Sequence, residues 1–172
     1  DTAAPTVTID NVASDGSTQV NSSSYTVSGT ASDGSSTVAG VEYSTDYTDD
    51  GNDSNDTWQT ATGNTSWTAA LSSLTDTLSQ TIAVRATDGA TNTSSPLVRT
   101  FKLDLQDPEV AVTGGNTGTN LVYLNTDVVL SGTATDANGI TNVTVTYSKD
   151  EGTPVTILDG TTADWNTGVT LD

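Results

Sequence analysis

The sequence contains no cysteine, no histidine and no methionine, and only four basic residues. Without cysteine, no disulfide can stabilise a small module, so its stability must come from apolar burial or from bound ions. Without histidine and cysteine, most routes to nucleophilic, acid–base or zinc catalysis are closed. The composition therefore predicts that the chain is not an enzyme.

Acidic residues are abundant where basic residues are scarce. Twenty-two Asp and Glu against four Lys and Arg give a formal net charge of -18. Nucleic acid and anionic lipid both require positive charge on the protein, so we expect no nucleic-acid partner. No run approaches the roughly 20 apolar residues of a membrane helix, so we expect no membrane insertion. The acidity favours cations as partners, or a surface whose charge keeps it soluble.

The chain contains an internal repeat with a spacing of 103 residues. An Asp-x-x-x-Pro-x-Val opening occurs at residues 1–7 and again at residues 104–110. A Val/Leu-Ser-Gly-Thr-Ala-Ser/Thr-Asp segment occurs at residues 27–33 and 130–136. Self-similarity at a fixed period indicates repeated copies of one module, which we place at residues 1–103 and 104–172.

Short runs of β-branched and aromatic residues alternate with polar residues throughout the first copy, and Gly, Asn, Asp and Ser separate them. They predict seven strands, labelled A, B, C, C′, E, F and G, at residues 6–12, 25–32, 38–44, 58–61, 66–71, 80–87 and 97–103. Seven short strands in about 100 residues predict an all-β fold, an immunoglobulin-like or fibronectin-III-like β-sandwich. The alternation predicts that the core contains Val7, Ile9, Tyr25, Val27, Val41, Tyr43, Ile82, Val84, Ala86, Phe101 and Leu103, with Gly29 and one of Leu97 and Val98 as further candidates.

The second copy contains counterparts of only five strands. These are A, B, C, C′ and E, at residues 109–113, 127–135, 142–147, 154–158 and 165–171. We therefore predict tandem immunoglobulin-like sandwiches in which the second module is incomplete, with strands F and G absent. Two explanations are open: the fragment was cut from a longer array, or another chain donates the missing strands.

Several carboxylates are predicted to converge at the poles of the modules. In this topology the start of strand A, the B–C loop and the F–G loop lie at one pole. Calcium takes six to eight oxygen ligands, so carboxylates from separate loops would suit a calcium ion that stiffens each junction. The alternative is that Asp simply favours turns. The candidates are Asp1, Asp33 and Asp88 in the first copy and Asp104, Asp107 and Asp136 in the second.

The connection between strands C and C′ is a second acidic cluster. It spans residues 46–56, and its weaker calcium candidates are Asp49, Asp50 and Asp53. The segment lacks the ligand spacing and the terminal Glu of an EF-hand. A solvated turn is the alternative interpretation.

Three tryptophans could stack on sugars. Trp67 and Trp165 occupy equivalent positions in the two copies, which favours a role in the core for both. Trp58 has no such counterpart and is the candidate for a ligand platform. Arg85 alternates with the core residues of strand F, so we expect it to face solvent or to pair with a neighbouring acid.

The opening, the strand B segment and the Ala-Thr-Asp-Gly-Ala-Thr-Asn segment at residues 86–92 resemble bacterial Ig-like repeats of large cell-surface adhesins and surface-layer-type proteins. The resemblance implies an extracellular, cell-surface location and a stalk or extender role. It also implies calcium at the module junctions, with neighbouring modules of the same array as partners. Two alternatives are a recognition module that binds carbohydrate or protein, and a self-assembling subunit completed by strands from other copies of the chain.

Overall fold

The computed structural model describes residues 1–50, 55–114, 128–148, 152–160 and 164–169. The chain divides into two compact units, Asp1–Leu105 and Gln106–Asp172. All regular secondary structure in the described ranges is β. None of these residues belongs to a helix long and apolar enough to cross a membrane.

Unit one is a sandwich of two sheets. Its described strands are β1 (Thr6–Val7), β2 (Gln19–Val20), β3 (Tyr25–Ser32), β4 (Val38–Ser44), β5 (Gln59–Thr60), β6 (Ser66–Leu71), β7 (Thr77–Asp88) and β8 (Leu97–Leu103). One sheet has the order β1-β3-β6 and the other the order β2-β8-β7-β4-β5. This is the immunoglobulin-like arrangement of strands A, B and E against G, F, C and C′, so the predicted all-β fold is confirmed.

Alternating side chains build the core of unit one. In β6, Trp67, Ala69 and Leu71 are buried, while the residues between them are exposed. The centre of the core comes from β7, where Ile82 and Val84 are fully buried. A side chain every second residue faces the opposite sheet, which is why the sequence pattern located this face correctly.

Strand A is shorter than its sequence pattern predicts. β1 pairs with β3 only through Thr6 and Val7, although the amides of Thr8 and Asp10 still donate to carbonyls of β3. The chain then turns at Gly16, whose φ is 73°, and returns as β2 in the other sheet, parallel to β8. A strand of two residues has too few positions to show a period, so the sequence did not reveal β2.

The described residues of unit two form counterparts of five strands of unit one. They are β9 (Glu109–Gly114), β10 (Val128–Thr135), β11 (Val143–Tyr147), β12 (Val155–Gly160) and β13 (Asp164–Val169). β13, β10 and β9 form one sheet, and β11 pairs with β12 in another. Its buried core is small, since among the described side chains it contains Ala134, Val143 and Trp165. The described residues of this unit include no counterpart of β7 or β8.

Candidate metal centre

The structure brings together the side chains of Asp1, Asp33 and Asp88 at one pole of unit one. Asp1 precedes β1, Asp33 follows β3, and Asp88 is the last residue of β7. β1 runs antiparallel to β3 with Thr6 opposite Ser32, which puts the start of one strand beside the end of the other. One carboxylate oxygen from each of the three Asp residues lies within 4.8 Å of the others.

Asp88 is the buried member of the trio, with 1% of its surface exposed. One carboxylate oxygen accepts hydrogen bonds from the amides of Ala90, at 2.9 Å, and Asn92, at 2.8 Å. The other accepts from Nδ2 of Asn92 at 2.9 Å. Burial raises the pKa of Asp88, but the hydrogen bonds from Asn92, Ser36 and Ala90 outweigh it and leave the pKa below its ordinary value. Asp88 is therefore a buried carboxylate that stays charged at neutral pH.

Asp33 is half-buried and closes the turn between β3 and β4. Its Oδ1 accepts from the amides of Ser35, at 2.8 Å, and Ser36, at 2.6 Å. These hydrogen bonds lower the pKa of Asp33, and the charge of Asp88 opposes them. The two carboxylates therefore repel each other, and a cation between them would remove that repulsion.

Asp1 is the exposed member. Its Oδ1 accepts from the amide of Ala3 at 2.9 Å, and its backbone carbonyl accepts a long hydrogen bond of 3.4 Å from Nδ2 of Asn92. The same amide group also donates to Asp88, so Asn92 connects the F–G loop to the start of the chain. Sequence reasoning missed Asn92, although its place in the Asp-Gly-Ala-Thr-Asn loop was the available signal.

The geometry of the trio suits a hard divalent cation. Calcium–oxygen distances are about 2.3–2.6 Å, so two ligand atoms on opposite sides of one ion lie about 4.6–5.2 Å apart. The separation of up to 4.8 Å between the three oxygens is compatible with that span. Among the described residues, the salt bridge found joins Arg85 to Glu42. No described Lys or Arg therefore forms an ion pair with the trio.

The second-copy candidates are placed differently. Asp104 belongs to unit one, directly after β8, and its amide donates to the carbonyl of Val20. In unit two, Asp107 is exposed, and Asp136 is half-buried with its Oδ1 accepting from the amide of Asn138 at 2.7 Å. Within the described part of unit two, no three acidic side chains come together as the trio does. A calcium site at these residues stays a prediction.

The described residues of the acidic C–C′ connection form a hydrogen-bonded turn. Asp53 lies outside the described residues. Asp50 accepts from Nδ2 of Asn55 at 2.8 Å, and Asp49 takes a 3.5 Å contact from the Tyr47 hydroxyl. The described residues of this connection hold no group of three acidic ligands. These contacts agree with the interpretation of the connection as a solvated turn. They do not test whether it binds calcium.

Trp58 is held by protein contacts on its ring. The guanidinium carbon of Arg85 lies 3.9 Å from the ring centroid, and the Tyr47 ring packs against Trp58 in a T-shaped arrangement with centroids 5.9 Å apart. Arg85 also forms a 3.0 Å salt bridge with Glu42, as expected for a strand F residue outside the core. A cation over one face leaves less of the ring for stacking on a sugar. Trp67 and Trp165 are both buried, which confirms their place in the core.

No protein-family model matches the chain, and no curated protein matches it either. Among solved structures it is similar to the fibronectin(III)-like modules of Clostridium thermocellum CbhA, with 18% identity and a TM-score of 0.49 over 97% of this chain and 80% of that one. Because both values are low, the fold assignment rests on the strand order and register of unit one.

Proposed function

We propose that the chain is a structural extender: a tandem β-sandwich repeat of an extracellular surface protein or fibre, with a calcium ion at the Asp1–Asp33–Asp88 trio. The observation that carries this proposal is the convergence of three carboxylates, one of them buried, within 4.8 Å at one pole. A segment joined to Asp1 would emerge beside the ion, so the ion would stiffen that connection.

Two further features support the proposal. The same module occurs twice in tandem, and repeated modules extend a chain without requiring a chemistry of their own. The absence of disulfides leaves bound ions as a means of stabilising a small sandwich, and the net charge of -18 favours cations.

The proposal is tested by melting the intact chain with calcium and then with a chelator. Binding at about 100 times Kd stabilises the folded state by about 2.7 kcal/mol, which raises the Tm of a domain this size by roughly 10 °C or more. We expect Asp33→Asn to remove most of this calcium-dependent rise, because the amide is a poorer calcium ligand but keeps an oxygen to accept from the Ser35 and Ser36 amides.

Asp10→Asn is the matched control. It makes the same change of charge at an exposed residue of unit one outside the trio, so its Tm should still rise with calcium. Equal Tm values for the unchanged chain in calcium and in chelator would rule out the calcium part of the proposal.

A further inference from the structure

The turn between β3 and β4 contains a buried hydroxyl beside the trio. Ser36 is half-buried as a residue, but its Oγ is fully buried. The hydroxyl lies beside the carboxylates of both Asp33 and Asp88. At neither carboxylate does Oγ reach the distance and angle of a full hydrogen bond. Because a buried polar group left in that state is costly, its place between two carboxylates indicates that it has a further ligand.

Backbone contacts fix Ser36 in this place. Its amide donates to Oδ1 of Asp33 at 2.6 Å. The carbonyl of the next residue, Thr37, accepts from the amide of Gly89 at 2.9 Å, which joins the turn to the end of β7. The hydroxyl is therefore positioned by the backbone, and these contacts remain when the side chain alone is changed.

The trio offers a cation fewer ligand atoms than three carboxylates could. Each carboxylate oxygen has about two lone-pair sites. Oδ1 of Asp33 accepts from two backbone amides, and so does Oδ1 of Asp88. Each of these two side chains therefore has one oxygen left for a cation, whereas calcium takes six to eight oxygen ligands. A further protein oxygen beside the trio would fill more of the coordination sphere.

We propose that Oγ of Ser36 is a fourth oxygen ligand of the cation at the trio and that it favours calcium over magnesium. This inference rests on the proposed calcium site. Calcium accepts many oxygen ligands in a flexible arrangement, so it can add a neutral hydroxyl. Magnesium dehydrates reluctantly and usually keeps several of its waters, so it gains little from one more protein ligand. Loss of the hydroxyl therefore affects the two ions differently.

Isothermal titration of the intact chain with calcium and with magnesium tests this role. We expect Ser36→Ala to weaken calcium binding by about tenfold, the lower end of the loss seen when a group supporting a metal site is removed. Magnesium binding should weaken by less than about twofold, because the ion keeps its waters. A variant that merely loosened the turn would weaken the binding of both ions alike.

Ser35→Ala is the matched control. Ser35 is exposed, and its amide donates to the same Oδ1 of Asp33 at 2.8 Å. We expect both affinities of this variant to stay within about twofold of those of the unchanged chain, as for most surface substitutions. Melting both variants in chelator checks that each is folded before the affinities are compared.

Three results would overturn the proposal. They are a calcium affinity of Ser36→Ala equal to that of the unchanged chain, equal weakening by Ser36→Ala and Ser35→Ala, and equal loss of calcium and magnesium affinity in Ser36→Ala. In each of these cases the unchanged chain still binds calcium, so the proposed function stands. An unchanged chain that binds neither ion would overturn both the calcium site and the role of Ser36.

Discussion

At the residue scale, each unit depends on a glycine that lies against a tryptophan. Gly29 is paired with Trp67 across β3 and β6, and Gly132 with Trp165 across β10 and β13. A Cβ at Gly29 would lie 2.6 Å from the Trp67 ring and would also collide with the backbone carbonyl of Thr8. The glycine is required because the ring and the neighbouring strand occupy the space of a side chain.

Gly29→Ala should therefore destabilise unit one by about 1–3 kcal/mol, the usual cost of overpacking a core. Urea unfolding followed by tryptophan fluorescence would measure it. Gly40→Ala in β4 is the control, since a Cβ there meets nothing within 4 Å. Equal unfolding midpoints for the two variants would contradict the close approach of Gly29 and Trp67.

At the scale of elements, Asp46 fastens the C–C′ connection to the end of β4. Its Oδ1 accepts from the buried Ser44 hydroxyl at 2.6 Å and from the Thr57 amide at 2.9 Å. The Ser44 hydroxyl and then Thr57 lower the pKa of Asp46 from its ordinary value to about 2. Asp46 thereby joins the two ends of the C–C′ connection, since Thr57 lies eleven residues further along the sequence.

The sign of the pH dependence follows from that lowered pKa. A carboxylate whose pKa is lower in the folded state stabilises that state at pH values above its unfolded pKa of about 3.9. This stabilisation is lost as the pH falls through about 2. Asp46→Ala should lower the urea midpoint at pH 7, and the difference from the unchanged chain should shrink between pH 4 and pH 2. Asp49→Ala, in the same connection but outside the hydrogen bonds to Ser44 and Thr57, is the control for the loss of one acidic side chain. A difference for Asp46→Ala that is constant from pH 7 to pH 2 would contradict this role.

The strands also show which elements the sequence pattern predicted correctly. The bounds of β3, β4, β6 and β8 were predicted as they are found, because each has enough alternating residues to show a period of two. β7 begins three residues earlier than predicted, at Thr77, where its pairing with β8 shifts register between Thr77 and Gln80. β2 was missed because its two residues are too few to show a period.

At the scale of the whole molecule, the two units differ in the size of their cores. Sixteen buried apolar residues form the core cluster of unit one, against three among the described side chains of unit two. Amides exchange by local opening whose free energy depends on such burial. We expect the β11 and β12 amides to exchange at least about tenfold faster than those of β4 and β7, a difference of ~1.4 kcal/mol. Hydrogen exchange with mass spectrometry on the intact chain measures this, and equal protection would contradict it.

The sequence by itself determined the module, its spacing and its buried face, because alternation and the 103-residue repeat are local or self-referential patterns. It also placed Asp1, Asp33 and Asp88 at one pole, since strand direction alone fixes which loops share an end. Only the tertiary structure decided that these carboxylates lie within 4.8 Å of one another, and that Arg85 lies over one face of the Trp58 ring. Those distances depend on the packing of two sheets and on loop conformations, which no residue pattern encodes.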